Sequence, residues 1–244
     1  MQTTYNNTLT LKQNSKGVGS NIVQADTVRG CKNNCVECYA CRLSKQSIKK
    51  FDVPVNVDTI KGTIKDDKTY RFGTSGDPAT DWNHSEKLIK QYKFKNYFCI
   101  TKLQSIEGFT GVFKKMHISV DPFNKEHFFT TLKNIIKLKK RHPDLKIIIR
   151  LRSCATYDYN INKLQKIAVN FCKKYGFKVL ETRMRFKRND SIDVYKLKKE
   201  YYERKKGYMR AKKGMSFIDY GNKSMCDLKE KGCSSCNLCS KLFK

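Results

Sequence analysis

Short apolar runs alternate with amphipathic stretches along most of the chain. Each run spans four to eight residues and is rich in β-branched and aromatic side chains, which is typical of buried strands. The pattern predicts strands at Asn21–Val28, Thr69–Phe72, Tyr97–Leu103, Met116–Val120, Lys146–Leu151 and Lys178–Arg183.

Helical periodicity is found between these strands. Ser85–Tyr92 is a short example, Lys125–Arg141 is longer, and Ile161–Tyr175 is followed by Gly176, a residue type that often terminates helices. Strands that alternate with helices predict a parallel α/β sheet built from right-handed βαβ units. Because six units are too few for a closed (β/α)8 barrel, we predict a partial (β/α)6 TIM-like barrel that is open on one side.

The composition of the sequence changes near Phe186, after which basic residues and tyrosines are frequent. We predict a barrel domain over residues 1–186, a basic, tyrosine-rich segment over residues 187–218 and a cysteine-rich metal-binding tail over residues 219–244. The basic segment is predicted to be helical over Ile192–Lys206. In the barrel, we expect the chemistry at the loops that follow the strands.

The chain is strongly basic, with 51 Lys and Arg residues against 22 Asp and Glu residues and a formal net charge of +29. Such a field attracts polyanions, and nucleic acid is the commonest one in a cytoplasm, although a merely solvated basic surface is the alternative. The apolar runs are shorter than the roughly 18 residues that a membrane span needs. The polar N-terminus lacks the apolar core of a secretory signal. We therefore expect a cytoplasmic protein with no membrane partner.

Eleven cysteines are present, and seven of them fall in two tight groups. In a reducing cytosol, metal ligation or catalysis is the main reason to cluster thiols. The first group is Cys31, Cys35 and Cys38, and the second is Cys226, Cys233, Cys236 and Cys239. The scattered cysteines are interpreted mostly as small buried hydrophobic residues, and they are Cys41, Cys99, Cys154 and Cys172.

The first group lies on a loop directly after the first predicted strand. Thiolates at positions i, i+4 and i+7 can hold a [4Fe–4S] cluster and leave one iron without a protein ligand, where a substrate can bind. A structural zinc site is the alternative, and it would need a fourth ligand such as Cys41.

The C-x3-C-x2-C motif after the first strand of a partial barrel resembles the signature of the radical SAM superfamily. The resemblance covers roughly Asn21–Phe186. It implies that Cys31, Cys35 and Cys38 ligate a [4Fe–4S] cluster that cleaves S-adenosylmethionine to a 5′-deoxyadenosyl radical, with electrons from a reducing partner such as flavodoxin or ferredoxin. The whole layout also resembles small, often phage-encoded iron–sulfur proteins.

Further positions match the superfamily in register. Ser75, Gly76 and Asp77 stand where the family has a Gly-Gly-Glu-Pro-like turn that holds the methionine amino group. The family often places a Ser and an Arg after later strands to hold the carboxylate and ribose, and the matching residues here are Ser119, Arg150 and Arg152. The chain departs from the family at Glu37, where an aromatic residue usually packs near the adenine, and Tyr39 is the candidate to replace that contact.

The second group offers four thiols as C-x6-C-x2-C-x2-C. Four thiolates can hold a second [4Fe–4S] cluster or a tetrahedral zinc ion. Three close cysteines with a more distant fourth favour the iron–sulfur cluster, and radical SAM enzymes often carry auxiliary clusters after the barrel.

The sequence features that indicate the substrate are less specific than the cysteine motifs. Basic residues interleaved with tyrosines can contact phosphates and stack bases, and the residues singled out are Tyr201, Tyr202, Arg204, Lys205 and Lys206. We therefore favour an enzyme that modifies a nucleic acid or nucleotide. A peptide- or protein-modifying radical SAM enzyme and a non-catalytic, metal-stapled nucleic-acid-binding protein are the alternatives. The four histidines show no ligand-like spacing and are interpreted as structural or surface residues.

Overall fold

The computed structural model describes residues 7–11, 21–33, 35, 38, 51–187, 191–205, 208–221, 223–226 and 238–243. In chain order, the strands of this part are β1 Thr8–Thr10, β2 Ile22–Gln24, β3 Val28–Arg29, β4 Val55–Asn56, β5 Thr59–Lys61, β6 Thr69–Phe72, β7 Tyr97–Thr101, β8 Lys115–Val120, β9 Lys146–Ser153, β10 Lys178–Arg183, β11 Arg185–Lys187, β12 Tyr202–Lys205, β13 Tyr208–Ala211 and β14 Lys223–Met225. The α-helices are α1 Trp82–Gln91, α2 Lys125–Arg141, α3 Tyr159–Tyr175, α4 Ser191–Val194 and α5 Leu238–Lys241, and 3₁₀ turns lie at Pro78–Thr80 and Lys199–Tyr201.

A seven-stranded parallel sheet forms the centre of the molecule. Its strand order is β2-β6-β7-β8-β9-β10-β14, so the chain adds each strand at the same growing edge. The α/β prediction is confirmed, and each of the six predicted strands has a counterpart in this sheet. The seventh strand, β14, pairs with β10 in parallel and comes from the predicted tail, which the apolar pattern did not reveal.

The three helices of eight or more residues in the described part pack on one face of this sheet, because sequential addition of strands turns every crossover in the same direction. A polar side chain starts each of them. Asp81, Asn124 and Asp158 accept hydrogen bonds from backbone amides in the first turns of α1, α2 and α3. The helix predicted from Ser85 therefore begins at Trp82, next to its cap. Gly176 closes α3 in the left-handed conformation that the sequence predicted.

The opposite face of the sheet is covered by the end of the chain, and we call it the tail face. Its apolar floor consists of Ile22, Phe98, Ile148 and Leu180, against which Phe243 packs. Phe243 lies 4.8 Å from the His117 ring, centre to centre, and 5.7 Å from the Phe98 ring, centre to centre. Phe243 and α5 thus belong to a hydrophobic cluster on this face, and β14 belongs to the sheet through its pairing with β10.

The basic segment forms a small antiparallel sheet, with strand order β11-β13-β12, so the helix predicted over Ile192–Lys206 is wrong. The helical turn stops after Val194, and Lys196 takes a positive φ of 46°, which a right-handed helix cannot accommodate. Tertiary packing then outweighs helical propensity. Phe186, Tyr202 and Met209 are buried together against the loops that follow β8 and β9.

Candidate functional site

The cysteine loop begins at the carboxyl end of β2, on the edge where the parallel strands end. Two glycines fix its start. Gly30 has a φ of +79°, and a β-carbon there would meet the Phe51 carbonyl oxygen at 2.6 Å. A β-carbon on Gly76 would meet the Val28 carbonyl oxygen at 2.1 Å. The backbones of Gly30 and Gly76 form a parallel bridge, so the cysteine loop and the turn after β6 lie in direct contact.

The side chain of Asp26 fixes the turn after β6 through hydrogen bonds. Its carboxylate accepts hydrogen bonds from the Thr74 and Ser75 backbone amides, at 2.6 and 2.8 Å, and from the Ser75 hydroxyl at 2.7 Å. The side chain is buried, which raises the pKa of its carboxyl although these donors oppose the shift. Sequence reasoning missed Asp26, and the only signal was a lone carboxylate at the end of an apolar strand.

Asp77, in the turn after β6, connects the cysteine loop to the end of β7. One carboxylate oxygen accepts from the Thr101 hydroxyl at 2.6 Å and from the Ala79 amide at 3.0 Å. The other accepts from the Lys102 amide at 2.8 Å and from the Asn33 side-chain amide at 3.0 Å. A carboxylate has about four lone-pair sites, and these four donors use them. Asp77 therefore organises the loop that carries Cys31, and its predicted contact with an amino group stays a prediction.

A buried ion triad lies beside the cysteines. Asp121 accepts a hydrogen bond from Lys102 at 2.8 Å and a second one from Arg152, and each of the three side chains is less than 15% exposed. Burial alone would raise the pKa of the Asp121 carboxyl, but Arg152 and Lys102 outweigh it and hold that pKa well below its usual range. With two cations and one anion, the triad carries a net positive charge. It lies at the carboxyl ends of the parallel strands, and we call this edge of the sheet the mouth.

The surroundings raise the pKa of two thiols of the loop, Cys31 and Cys35. Burial raises the pKa of the Cys31 thiol to about 12, helped by Asp77 and by the neighbouring Cys35 and Cys38. Burial also raises the pKa of the Cys35 thiol, and Lys102 and Arg152 oppose that shift. Lys102 and Arg152 stabilise the Cys35 thiolate, but burial outweighs them, so the pKa of both thiols is raised overall.

The donor set of the loop consists of three thiols, which is the ligand type of iron–sulfur clusters. Within the described residues, no three His, Cys, Asp or Glu side chains are grouped so as to hold one metal ion. A [4Fe–4S] cluster binds each thiolate to a different iron, so its ligands do not have to converge on one point. Cys31, Cys35 and Cys38 are half-buried, and the charges of Cys35 and Cys38 contribute to the raised pKa of the Cys31 thiol.

Three other predicted ligand-binding residues, Ser119, Arg150 and Arg152, lie on the tail face, within the strands β8 and β9. Ser119 on β8 pairs in register with Arg150 on β9, and Arg152 is two residues further along the same face. Three buried polar atoms in this region have no hydrogen-bond partner among the described residues: the Arg150 Nε, the His117 Nδ1 and the Thr182 hydroxyl.

The tail cysteines are only partly described. Cys226 follows β14 and donates its amide to the Glu181 carbonyl at 2.8 Å. The Cys239 carbonyl is hydrogen-bonded to the His117 Nε2 at 2.8 Å, and both cysteines pack at the margin of the tail-face cluster. Cys233 and Cys236 lie outside the described residues, as do Tyr39 in the first loop and the alternative ligand Cys41. His117 is fully buried, so it is structural as predicted.

No family model, no curated protein and no solved structure matches the chain. The residues above therefore have to be interpreted from their own geometry. No helix of the described part has the length and apolar character to cross a membrane.

The structure changes which tyrosines are available to a partner. Tyr202 is 5% exposed, and its hydroxyl accepts a hydrogen bond from the Ala155 amide at 2.7 Å, so this ring cannot stack on a base. Tyr201 is 37% exposed and lies edge-on to Phe217. The exposed tyrosines of the mouth are instead Tyr157 and Tyr159, which the sequence pattern did not single out.

Proposed function

We propose that this protein is a radical SAM enzyme, in which Cys31, Cys35 and Cys38 hold a [4Fe–4S] cluster at the mouth of a TIM-like partial barrel. The observation that carries the proposal is the cysteine loop itself. Asp77 and the Gly30–Gly76 contact lock it to the strand ends, beside the positive triad around Asp121. Parallel α/β sheets use the same edge for their ligands.

When bound, such a cluster supplies an electron that breaks a carbon–sulfur bond of S-adenosylmethionine, giving methionine and a 5′-deoxyadenosyl radical. The protein's own side chains bind and orient the ligands. The positive charges of Lys102 and Arg152 stabilise negative charge at Cys35, against the Asp121 carboxylate between them. Ser119 and Arg150 offer a hydroxyl and an unpartnered guanidinium Nε to the polar end of the ligand.

Charge supports a nucleic acid or a nucleotide as the substrate. The net charge of +29 favours a polyanion, and the triad around Asp121 contains two cations and one anion. A flavodoxin or ferredoxin in the cytoplasm is the proposed electron donor. A second [4Fe–4S] cluster, or a zinc ion, at Cys226, Cys233, Cys236 and Cys239 is proposed to tie the end of the chain to the tail face.

The test is the release of 5′-deoxyadenosine from anaerobically reconstituted protein given dithionite and S-adenosylmethionine. We expect release by the wild type and none by Cys35→Ala. The matched control is Cys172→Ala, which changes a buried thiol among the core residues of α3 and should keep most of the activity. Wild-type protein that takes up only zinc, or equal activity in Cys35→Ala, would contradict the proposal.

A further inference from the structure

Two large aromatic side chains are exposed at the rim of the mouth. Tyr157 and Tyr159 are 65% and 73% exposed; Tyr157 lies in the loop that joins β9 to α3, and Tyr159 is the first residue of α3. Arg152 of the ion triad is five residues before Tyr157, a span of at most about 18 Å of chain. Both tyrosines follow the carboxyl end of β9, at the same edge of the sheet as the cysteine loop.

A lysine accompanies each ring. Lys198 Nζ lies 5.0 Å from the centre of the Tyr157 ring, and Lys163 Nζ lies 6.0 Å from the centre of the Tyr159 ring. These are cation–π distances, and the high exposure of the rings leaves much of their surface in contact with solvent. Each pair thus offers a flat π surface next to a positive charge.

Backbone hydrogen bonds build the Tyr157–Lys198 pair. Tyr157 donates its amide to the Lys196 carbonyl at 2.8 Å, and Lys198 donates its amide to the Ala155 carbonyl at 3.1 Å. Thr156 and Leu197 form an antiparallel bridge between them. The tyrosine loop and the lysine segment are therefore joined as a short ladder, which fixes their relative position.

The acidic residue between the tyrosines does not oppose an anion strongly. Asp158 is the N-cap of α3, and its carboxylate accepts a hydrogen bond from the Ile161 amide at 3.1 Å. Its charge is thus compensated by the positive end of the helix. The rim keeps the positive charge of Lys163 and Lys198.

We propose that Tyr157 and Tyr159, with Lys198 and Lys163, form a platform that holds an unpaired strand of nucleic acid across the mouth. A duplex keeps its base faces stacked on each other, whereas unpaired bases can stack on tyrosine while lysines contact the neighbouring phosphates. The inference deepens the proposed function, because it rests on that function for the presence of nucleic acid at this edge.

The chain offers a matched control on the same helix. Tyr175 is the last residue of α3, is 46% exposed and has Lys174 Nζ at 5.5 Å from its ring centre. It repeats the tyrosine–lysine pair at the opposite end of a helix about 25 Å long. A general affinity of exposed tyrosines for nucleic acid would involve Tyr175 as much as the rim.

The experiment measures fluorescence anisotropy of a labelled oligonucleotide with full-length reconstituted protein, using one sequence as single-stranded RNA, single-stranded DNA and duplex. The double variant Tyr157→Ala/Tyr159→Ala should bind the single strands roughly 5- to 150-fold more weakly for each stacked base that is lost. Tyr157→Trp/Tyr159→Trp should retain binding, Tyr175→Ala should match the wild type, and the affinity for the duplex should be unchanged in the alanine variant.

Four results would overturn the platform. They are an alanine variant that binds single strands like the wild type, an equal loss in Tyr175→Ala, an equal loss of duplex binding, and poly-glutamate that displaces the strand as well as unlabelled oligonucleotide does. Release of 5′-deoxyadenosine without nucleic acid is measured on the same samples. If the wild type binds strands through the rim but releases no 5′-deoxyadenosine, the proposed chemistry fails and the platform stands.

Discussion

The two cysteine groups are attached to the same sheet by different means. The first loop is held by buried polar groups, since Asp26 and Asp77 together accept seven hydrogen bonds that fix the loop and the turn beside it. The described tail is held by pairing of β14 with β10 and by the burial of Phe243. Polar networks specify one geometry, whereas apolar burial mainly supplies stability. The first region is therefore suited to a precise site, and the second stabilises the sheet.

The largest expected effect is a change in metal content, which distinguishes the metals bound by the two cysteine groups. If both groups hold [4Fe–4S] clusters, iron analysis should give about eight irons per chain, and about four irons with one zinc if the tail holds zinc. Cys233→Ala/Cys236→Ala should remove only the tail metal, because the first loop is fixed by its own contacts. Loss of all iron in that variant would show that the two sites depend on each other.

The next effect tests the tail as a stabilising element. Phe243→Ala should lower the free energy of unfolding by about 3–5 kcal/mol, because a buried aromatic ring is lost from the contacts with Phe98 and His117. Urea unfolding followed by circular dichroism measures it. The control is Phe129→Ala on α2, where the ring is 44% exposed and the change should be far smaller. Equal effects would mean that the tail is not part of the core.

A smaller effect on stability is expected at Asp77, together with a change at the site. Asp77→Asn replaces one acceptor oxygen by a donor, which leaves buried donors unpaired and costs about 1–3 kcal/mol. Because Asn33 then loses its anchor, the first cluster should be lost faster in air, as followed by its visible absorbance, while the tail metal stays. Asp67→Asn, at an exposed position, is the control. Unchanged cluster lifetime would contradict the role of Asp77 in fixing the loop.

The smallest effect concerns one hydrogen bond near the tail. The Tyr220 hydroxyl donates to the Phe177 carbonyl at 2.6 Å. Tyr220→Phe should cost about 1 kcal/mol in urea unfolding and leave the iron content unchanged. A change in iron content would mean that this part of the chain also shapes a metal site.

Much of the main sheet could be predicted from the sequence, because its strands are apolar runs between amphipathic helices. Thr69–Phe72 and Lys178–Arg183 have the predicted bounds. The short strand β14, with the sequence Lys-Ser-Met, has no apolar pattern, and only its pairing with β10 defines it. The basic segment misled the prediction because lysine-rich sequences favour helices locally, whereas the burial of Phe186 and Tyr202 selects strands.

At the site, residue spacing identified the cysteine loop and the turn at Asp77, but not what holds them. Asp26 and Glu181 are isolated carboxylates in apolar strands, and their partners come from distant parts of the chain. Glu181 is fully buried and accepts hydrogen bonds from Ser153, Ser216 and the Phe217 amide. Such long-range pairs leave no local pattern. The rim tyrosines were missed for the same reason, since Lys198 reaches Tyr157 only through the fold.

The most direct measurement of the central claim is the electron paramagnetic resonance spectrum of the reduced Cys233→Ala/Cys236→Ala variant, with and without S-adenosylmethionine. This variant should keep only the cluster at Cys31, Cys35 and Cys38. If that cluster has an iron open to the ligand, its signal should shift when S-adenosylmethionine is added. A signal that does not respond to S-adenosylmethionine, or the absence of any cluster signal in protein that remains folded, would contradict the account.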